Sequence, residues 1–244
     1  MKFLDLTFPE PVENLACDEM LLDRCRESGE EILRVWEPTT PFVVLGRSNS
    51  FRREANVELC ARHRVPILRR CSGGGTVLQA PGCLNYALIL RVSTRPELKT
   101  VPSTNRYVME QHRALLEKLL GAKVEIHGHT DLALTPLHAE RVLKVSGNAQ
   151  RRGRDSLLFH GTFLLSLDLQ LVEAFLPMPS IEPAYRQGRS HREFLANLGV
   201  PRPSLVAALR REWDANESLE EPDWSKVQTL AKTKYDAPEW NRRV

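Results

Sequence analysis

Three stretches of this chain carry residue types that can do chemistry together. The first, RRCSGGGTVLQAPGCLNYALIL (Arg69–Leu90), joins a cationic pair to three consecutive glycines and an alternating, strand-like run. Consecutive glycines let the backbone take positive φ and approach a ligand with no Cβ in the way. Successive N–H groups in such a turn can form a nest for an anion. Arg69 or Arg70 would add a bidentate fork for a carboxylate or phosphate. No Gly-Lys-Ser/Thr follows the glycines and the spacing is not GxGxxG, so neither a Walker loop nor a dinucleotide fingerprint is present. The second stretch, KVSGNAQRR from Lys144, sets a lysine at a strand end before Ser-Gly, where its ammonium can point into a cleft. One cation–anion pair at ~4 Å and an effective dielectric of ~20 is worth about 4 kcal/mol, and a charge aimed at developing phosphate or carboxylate charge is a common catalytic device. In the third, LLFHGTFLL from Leu157, Gly161 interrupts a strand beside His160, which often marks close approach of backbone or ligand. Each signal also has a bland reading: a tight turn with solvent-facing arginines, a solvated lysine, an edge histidine.

The elements that would position these stretches are legible from periodicity. NLACDEMLLDRCRESG reads as an amphipathic helix, with Asn14 at its N-cap and Gly29 its stop. Ile32–Trp36, Phe42–Gly46 and Ile67–Arg70 read as strands, with a short helix through Val57, Cys60, Ala61 and Arg64 before Pro66. Ser72–Gly75 must be a loop. LNYALILR alternates cleanly, and Thr104–Leu120 is the clearest helix, ended by Gly121. Val124–Ile126, Leu132–Leu134, Val142–Val145 and Leu157–Leu165 are further strands. Beyond Asp168 the texture turns helical, with Leu169–Leu176, SLVAALRREW and WSKVQTLAKTKY, a basic stretch YRQGRSHRE read as a solvated loop, and an acidic run Asn216–Asp223 read as a solvated connection. Short strands with helices between and after them indicate a mixed α+β domain without βαβ cadence.

Composition bounds the function classes. A chain of 244 residues with 42% hydrophobic and 27% charged residues is ordinary globular material. A net charge of +3 without an evident basic face argues against nucleic-acid binding. The longest apolar runs fall far below the ~18 residues of a membrane span. Five cysteines, all between Cys17 and Cys83, show no CxxC pair, and MKFLDLTFPEP is unlike a secretory or transit signal. A cytoplasmic protein with reduced thiols is expected.

The combination of motifs is more specific than any one of them. Arg70-x-Ser-Gly-Gly-Gly with Gly82-x-Leu-Asn85, then DLAL (Asp131–Leu134), KVSGNAQ and HGTFLL, closely resembles the lipoate–protein ligase A family of the biotin and lipoate ligase superfamily. NLACDEMLL and VVLGRSNSFRREAN (Val43–Asn56) look like that family's N-terminal signatures, and the resemblance spans roughly the first two-thirds of the chain.

The resemblance implies an α+β fold, with a central mixed, largely antiparallel sheet flanked by helices and a lipoate tunnel beside an adenylate pocket. It implies one catalytic domain over residues 1–244, helical from about 169, with no separate accessory domain. The implied reaction joins lipoate or octanoate to AMP at the expense of ATP with Mg²⁺, then passes the acyl group to a lysine of a lipoyl domain. Acceptors would belong to 2-oxoacid dehydrogenase complexes or be the glycine-cleavage H protein. By resemblance, Lys144 is the catalytic lysine, and Arg70, Ser72, Gly73, Gly74, Gly75, Thr76, Val77 and Asn85 hold the acyl-adenylate. Asp131 lies near the nucleotide and the metal, while Ser146, Gly147, His160, Gly161 and Thr162 line the same pocket. Where the family carries aromatic-His-Asp after the glycines, this chain has Leu78, Gln79 and Ala80. Its length leaves no room for the accessory domain of many bacterial ligases, so the expectation is either a separate accessory subunit or a single transfer step. Two other readings stay open. One is an octanoyl or lipoyl transferase without ATP activation, whose acyl-cysteine would have to be Cys71 or Cys83; the other is a non-catalytic lipoate-binding relative.

Overall fold

A computed structural model describes residues 1–135, 141–220 and 222–243 of the chain. The first half folds as β1 (Lys2–Asp5), α1 (Pro11–Ser28), β2 (Ile32–Trp36), β3 (Phe42–Leu45), α2 (Val57–His63), β4 (Ile67–Arg69), β5 (Val77–Gln79) and β6 (Cys83–Arg91). Then come α3 (Val101–Leu120), β7 (Val124–His127), β8 (Asp131–Leu134), β9 (Leu143–Arg152) and β10 (Ser156–Leu164). The last part holds α4 (Leu169–Phe175), α5 (His191–Phe194), α6 (Arg202–Glu212), β11 (Glu217–Ser218), α7 (Trp224–Leu230) and α8 (Pro238–Asn241).

Eight strands form one sheet in the order β11-β1-β2-β6-β10-β9-β8-β7, and β4-β3-β5 form a second. In the large sheet β1 runs parallel to β11 and β2, and every other neighbour is antiparallel. The expected α+β architecture with a mixed, mainly antiparallel sheet is what forms. Because side chains alternate across a strand, the sheet has two distinct faces. Leu33, Val35, Tyr86, Leu88, Phe159 and Phe163 pack with α3 and α6, whereas Ile32, Ala87, Ile89 and Leu158 pack with α1 and the α7 region. No described helix is long and apolar enough to cross a membrane.

Several local expectations are corrected. Helix α1 starts at Pro11, so Asn14 lies inside it rather than at its cap; its side chain reaches back to both backbone groups of Phe8, at 3.0 and 2.8 Å. Helix α3 starts at Val101, where Thr100 and Ser103 form a capping box. Strand β9 outruns the expected Val142–Val145 because its polar half, SGNAQRR, is hydrogen-bonded between β8 and β10. Part of the acidic run is a strand, with Glu217 paired to β1 and to Lys2 Nζ at 2.8 Å. The basic stretch YRQGRSHRE is not a solvated loop. The Arg186 and Arg189 side chains are buried, donate to backbone carbonyls and stack on Phe194, and Arg192 alone of the three faces solvent.

Arg69 also turns inward. Its fully buried guanidinium donates to the carbonyls of Gly46, Asn49, Trp240 and Asn241, tying α8 to the base of the glycine loop. Replacing it strands buried acceptors, each costing on the order of 1–3 kcal/mol. Arg69→Met should therefore lose about 3 kcal/mol of stability, read as a lower urea midpoint at unchanged m. A loss below about 1 kcal/mol would show that those carbonyls find other donors.

Candidate active site

Strand register lays two rows of side chains across the α1 face of the large sheet. One row reads Trp36, Asn85, Thr162, Gly147 and Asp131 over five adjacent strands. The next reads Arg34, Ala87, His160 and Ala149. Alanine and glycine at Ala87, Ala149 and Gly147 keep the middle of these rows low, and the polar residues rise around them.

Lys144 reaches this floor through a β-bulge. Gly147 pairs with Asp131 and Ser146 with Leu132, but Ala133 pairs with Lys144, so Val145 is the extra residue of β9. Val145 and Ser146 both turn toward the α3 side, each fully buried, and Lys144 returns to the face of Gly147 and Asp131. Its ammonium lies 2.8 Å from Asp131 Oδ1 and 2.8 Å from where a Cβ on Gly147 would sit. Any side chain at Gly147 would displace the ammonium. Tyr185 donates its hydroxyl to the other Asp131 oxygen at 2.9 Å and stacks on His127. Burial, then the adjacent Asp131 charge, pushes the Tyr185 phenol well above its ordinary range, so it remains a donor.

The glycine loop sits over the second row. A Cβ on Gly74, at φ +86°, would lie 3.4 Å from the Ala149 methyl, two residues (roughly 7 Å) along β9 from Gly147. Arg70 holds the loop from below: its guanidinium donates to Ser72 Oγ at 3.0 Å and to the carbonyls of Gly73 and Gly75 at 2.5 and 2.8 Å. Burial brings its pKa down to about 10. With those carbonyls turned to Arg70, the exposed N–H groups of Gly73, Gly74 and Gly75 have no protein acceptor among the described residues, which suits an anion nest. Thr76 donates to Asn49, which also accepts from Gly46 N, and Val77 opens β5.

Ser72 is fixed by a buried chain of polar groups. Its oxygen is 2.6 Å from His160 Nε2, His160 Nδ1 is 3.2 Å from Asp18 Oδ2, and Asp18 Oδ1 is 2.6 Å from Arg34. Arg70 Nε–H also donates to Ser72 Oγ, so the hydroxyl is held from two sides, by the guanidinium and by the imidazole. A second closed set joins Gln79, Thr162 and Asn85. Gln79 donates to Thr162 at 2.7 Å, Thr162 to Asn85 at 2.6 Å, and Asn85 back to Gln79 at 2.8 Å. Ala80 is fully buried in the core beside it.

The structure therefore gathers Arg70, Ser72, Gly73–Gly75, Thr76, Asn85, Asp131, Lys144, Gly147, His160 and Thr162 around one floor. Ser146 and Gly161 differ. Ser146 faces the α3 side and bonds Asn148, and Gly161 exists to admit Asn148, whose Oδ1 would lie 1.8 Å from a Cβ there. Sequence reasoning passed over Asp18, Arg34, Asn148 and Tyr185. The signal for the first two was a charge in the middle of an apolar helix stripe and of an apolar strand. Cys71 and Cys83 are buried; burial raises the Cys71 thiol and pushes Cys83 to about 12, the opposite of an activated nucleophile.

Asp18→Asn should cost about 3–5 kcal/mol, since it leaves the buried Arg34 charge uncompensated. Urea unfolding measures this, and a loss below about 1 kcal/mol would mean that Asn14 and the carbonyls suffice for Arg34.

Comparison with known proteins places this geometry. Residues 10–201 match the family model described as the lipoyl protein ligase A/B catalytic domain. Lipoate–protein ligase 1 of Staphylococcus aureus is 25% identical over 99% of this chain and 73% of its own length. Among solved structures, a bi-partite lipoate protein ligase from Thermoplasma acidophilum, studied with its E2 lipoyl domain, superposes with a TM-score of 0.82 at 22% identity, covering 99% of this chain and 95% of that one. A lipoate-protein ligase A bound with ATP gives 0.80 at 22% identity over 99% and 98% of the two chains. The family model covers the glycine loop, both sheet rows and the lysine strand, and the chain belongs to the lipoyl protein ligase A/B catalytic domain family.

Proposed function

We propose that the protein is an ATP-dependent lipoate–protein ligase, which makes an acyl-adenylate from lipoate or octanoate and transfers the acyl group to a lysine of a lipoyl domain. One observation carries the reading: a lysine turned by a bulge onto the floor beside an exposed triple-glycine loop. Family membership and the likeness to ATP-bound and lipoyl-domain-linked relatives support it.

The chemistry follows from the groups at hand. In the first step an acyl carboxylate oxygen attacks the α-phosphorus and pyrophosphate leaves. In the second, the acceptor amine attacks the acyl carbon and AMP leaves. Lys144 supplies the positive charge for the carboxylate and α-phosphate, while the Gly73–Gly75 amides and the Ser72 hydroxyl bracket the anion. Lys144 must first leave Asp131, and the Tyr185 hydrogen bond keeps that carboxylate partnered when it does. Thr162, Asn85 and Gln79 offer a neutral wall where many relatives carry a charge, and the Ser146 role falls to Gly147. Mg²⁺ would neutralise phosphate charge. Among the described residues no three His, Cys, Asp or Glu form a cage, which suits an ion held mainly by phosphates and water with Asp131 the carboxylate at hand.

The whole chain reads as one catalytic domain with an integral helical C-terminal segment, working in a reducing cytoplasm on acceptors of 2-oxoacid dehydrogenase or glycine-cleavage type. A separate accessory subunit fits the likeness to a bi-partite enzyme. The acyl-cysteine transferase is disfavoured by the buried, basic thiols of Cys71 and Cys83.

Purified protein given lipoate, ATP and Mg²⁺ should release pyrophosphate and form lipoyl-AMP, seen by mass spectrometry. Transfer from an octanoyl thioester without adenylate would sink the ligase assignment. Lys144→Ala should lose about 10²–10³-fold in turnover while folding normally; near-wild-type turnover refutes its role. Cys71→Ser and Cys83→Ser should keep most activity, and a trapped thioester on either sulfur would reverse the ranking.

A further inference from the structure

Five arginines belong to the two segments beside the glycine loop, and among the described residues none has an acidic partner. Arg47, Arg52, Arg53 and Arg242 are exposed and Arg243 is half-buried. Three contacts place Arg47, Arg242 and Arg243, and Arg52 and Arg53 follow Phe51 directly in the chain: Arg47 N donates to Ser72 O at 2.8 Å, Arg243 donates to Arg47 O at 3.1 Å, and Arg242 lies over the Phe51 ring at 5.7 Å. The backbone of this rim is held by Arg69, whose buried donors reach Gly46, Arg47 and Asn49 on one side and Trp240 and Asn241 on the other. Among the described residues none of the five takes part in an ion pair. The single acidic residue between Gly46 and Asn56, Glu54, is buried and bonded to Ser180. Glu58 and Glu239, exposed on the flanking helices α2 and α8, are the nearest acids in sequence, and neither forms an ion pair with the rim.

A chain with a net charge of only +3 thus concentrates uncompensated positive charge at one edge of its site. The ligase reading, on which this inference rests, adds a constraint: the second substrate must bring a lysine to this same site. A cationic side chain approaches a cationic rim only when it is carried by a surface of opposite charge.

We propose that the rim of Arg47, Arg52, Arg53, Arg242 and Arg243 is the docking surface for the acceptor protein, and that it recognises an acidic face surrounding the acceptor lysine. The rim works over a screening length of about 8 Å at physiological salt, so it steers the encounter and sets register more than it adds final affinity. None of the five belongs to the two sheet rows of the Lys144 floor, which handles the acyl-adenylate.

The test separates the two steps by supplying synthetic lipoyl-adenylate and a purified lipoyl domain with acidic residues flanking its lysine. The R52E/R53E/R242E variant changes only exposed side chains, and its melting temperature checks folding. The expected result is about a tenfold lower kcat/KM for the lipoyl domain at low salt, with the wild-type salt dependence largely abolished. Pyrophosphate release from lipoate and ATP should stay within about twofold of wild type. A lipoyl domain whose flanking acids are changed to lysine should recover transfer with the variant and lose it with wild type. Unchanged transfer with wild-type salt dependence overturns the docking assignment and leaves the ligase reading standing. So does loss of adenylate formation in the variant, which would make the rim a nucleotide site. Salt-sensitive binding of a single-stranded RNA oligonucleotide, lost in the variant without any effect on transfer, likewise overturns it. If wild-type protein transfers nothing even from synthetic lipoyl-adenylate, the ligase reading itself falls.

Discussion

The buried ion pair between Arg34 and Asp18 is the interaction on which the site's geometry depends. Arg34 sits in the middle of β2 with its side chain wholly removed from solvent, and Asp18 lies on the facing surface of α1. Taking both charges out of water is expensive, so the pair contributes little net stability and much geometric constraint. Its second oxygen aims the His160 ring, that ring fixes the Ser72 hydroxyl, and Ser72 with Arg70 fixes the glycine loop. A helix docking against a sheet is thereby converted into a defined loop position above it. Among the described residues the Arg34 Nε finds no partner, a small residual cost of holding a guanidinium there.

Around that chain the site is built from differences in side-chain size. The floor is low at Ala87, Ala149 and Gly147 and polar at Asn85, Thr162, Asp131 and Lys144. Gln79 completes a ring of neutral hydrogen bonds in which each member donates once to the next. No polar side-chain group of these three residues is left unsatisfied, and the wall they form carries no ionisable group.

Much of this was legible in the sequence, because the strongest signals are local. The triple glycine, the alternation of LNYALILR and the Gly-interrupted HGTF strand led to the right loop and strands. The family resemblance supplied the order in which they meet. What escaped notice was non-local. Asp18 and Arg34 are 16 residues apart and read separately as a helix residue and a strand residue; only their docking makes them a pair. The arginines at 186 and 189 looked like surface charge because composition does not reveal that nearby carbonyls need donors. The rim arginines are scattered between positions 47 and 243, so no window of sequence collects them. Asn14 resembled a cap by type and position, yet its amide is used to staple the preceding loop.

The bulge at Val145 has a consequence for how this scaffold can change. Because one surplus residue rotates Lys144 to the site face, the placement of the charge depends on a count as well as on an identity. Deleting Val145 would keep the lysine and its Ser-Gly partner and still turn the ammonium into the apolar layer beneath α3.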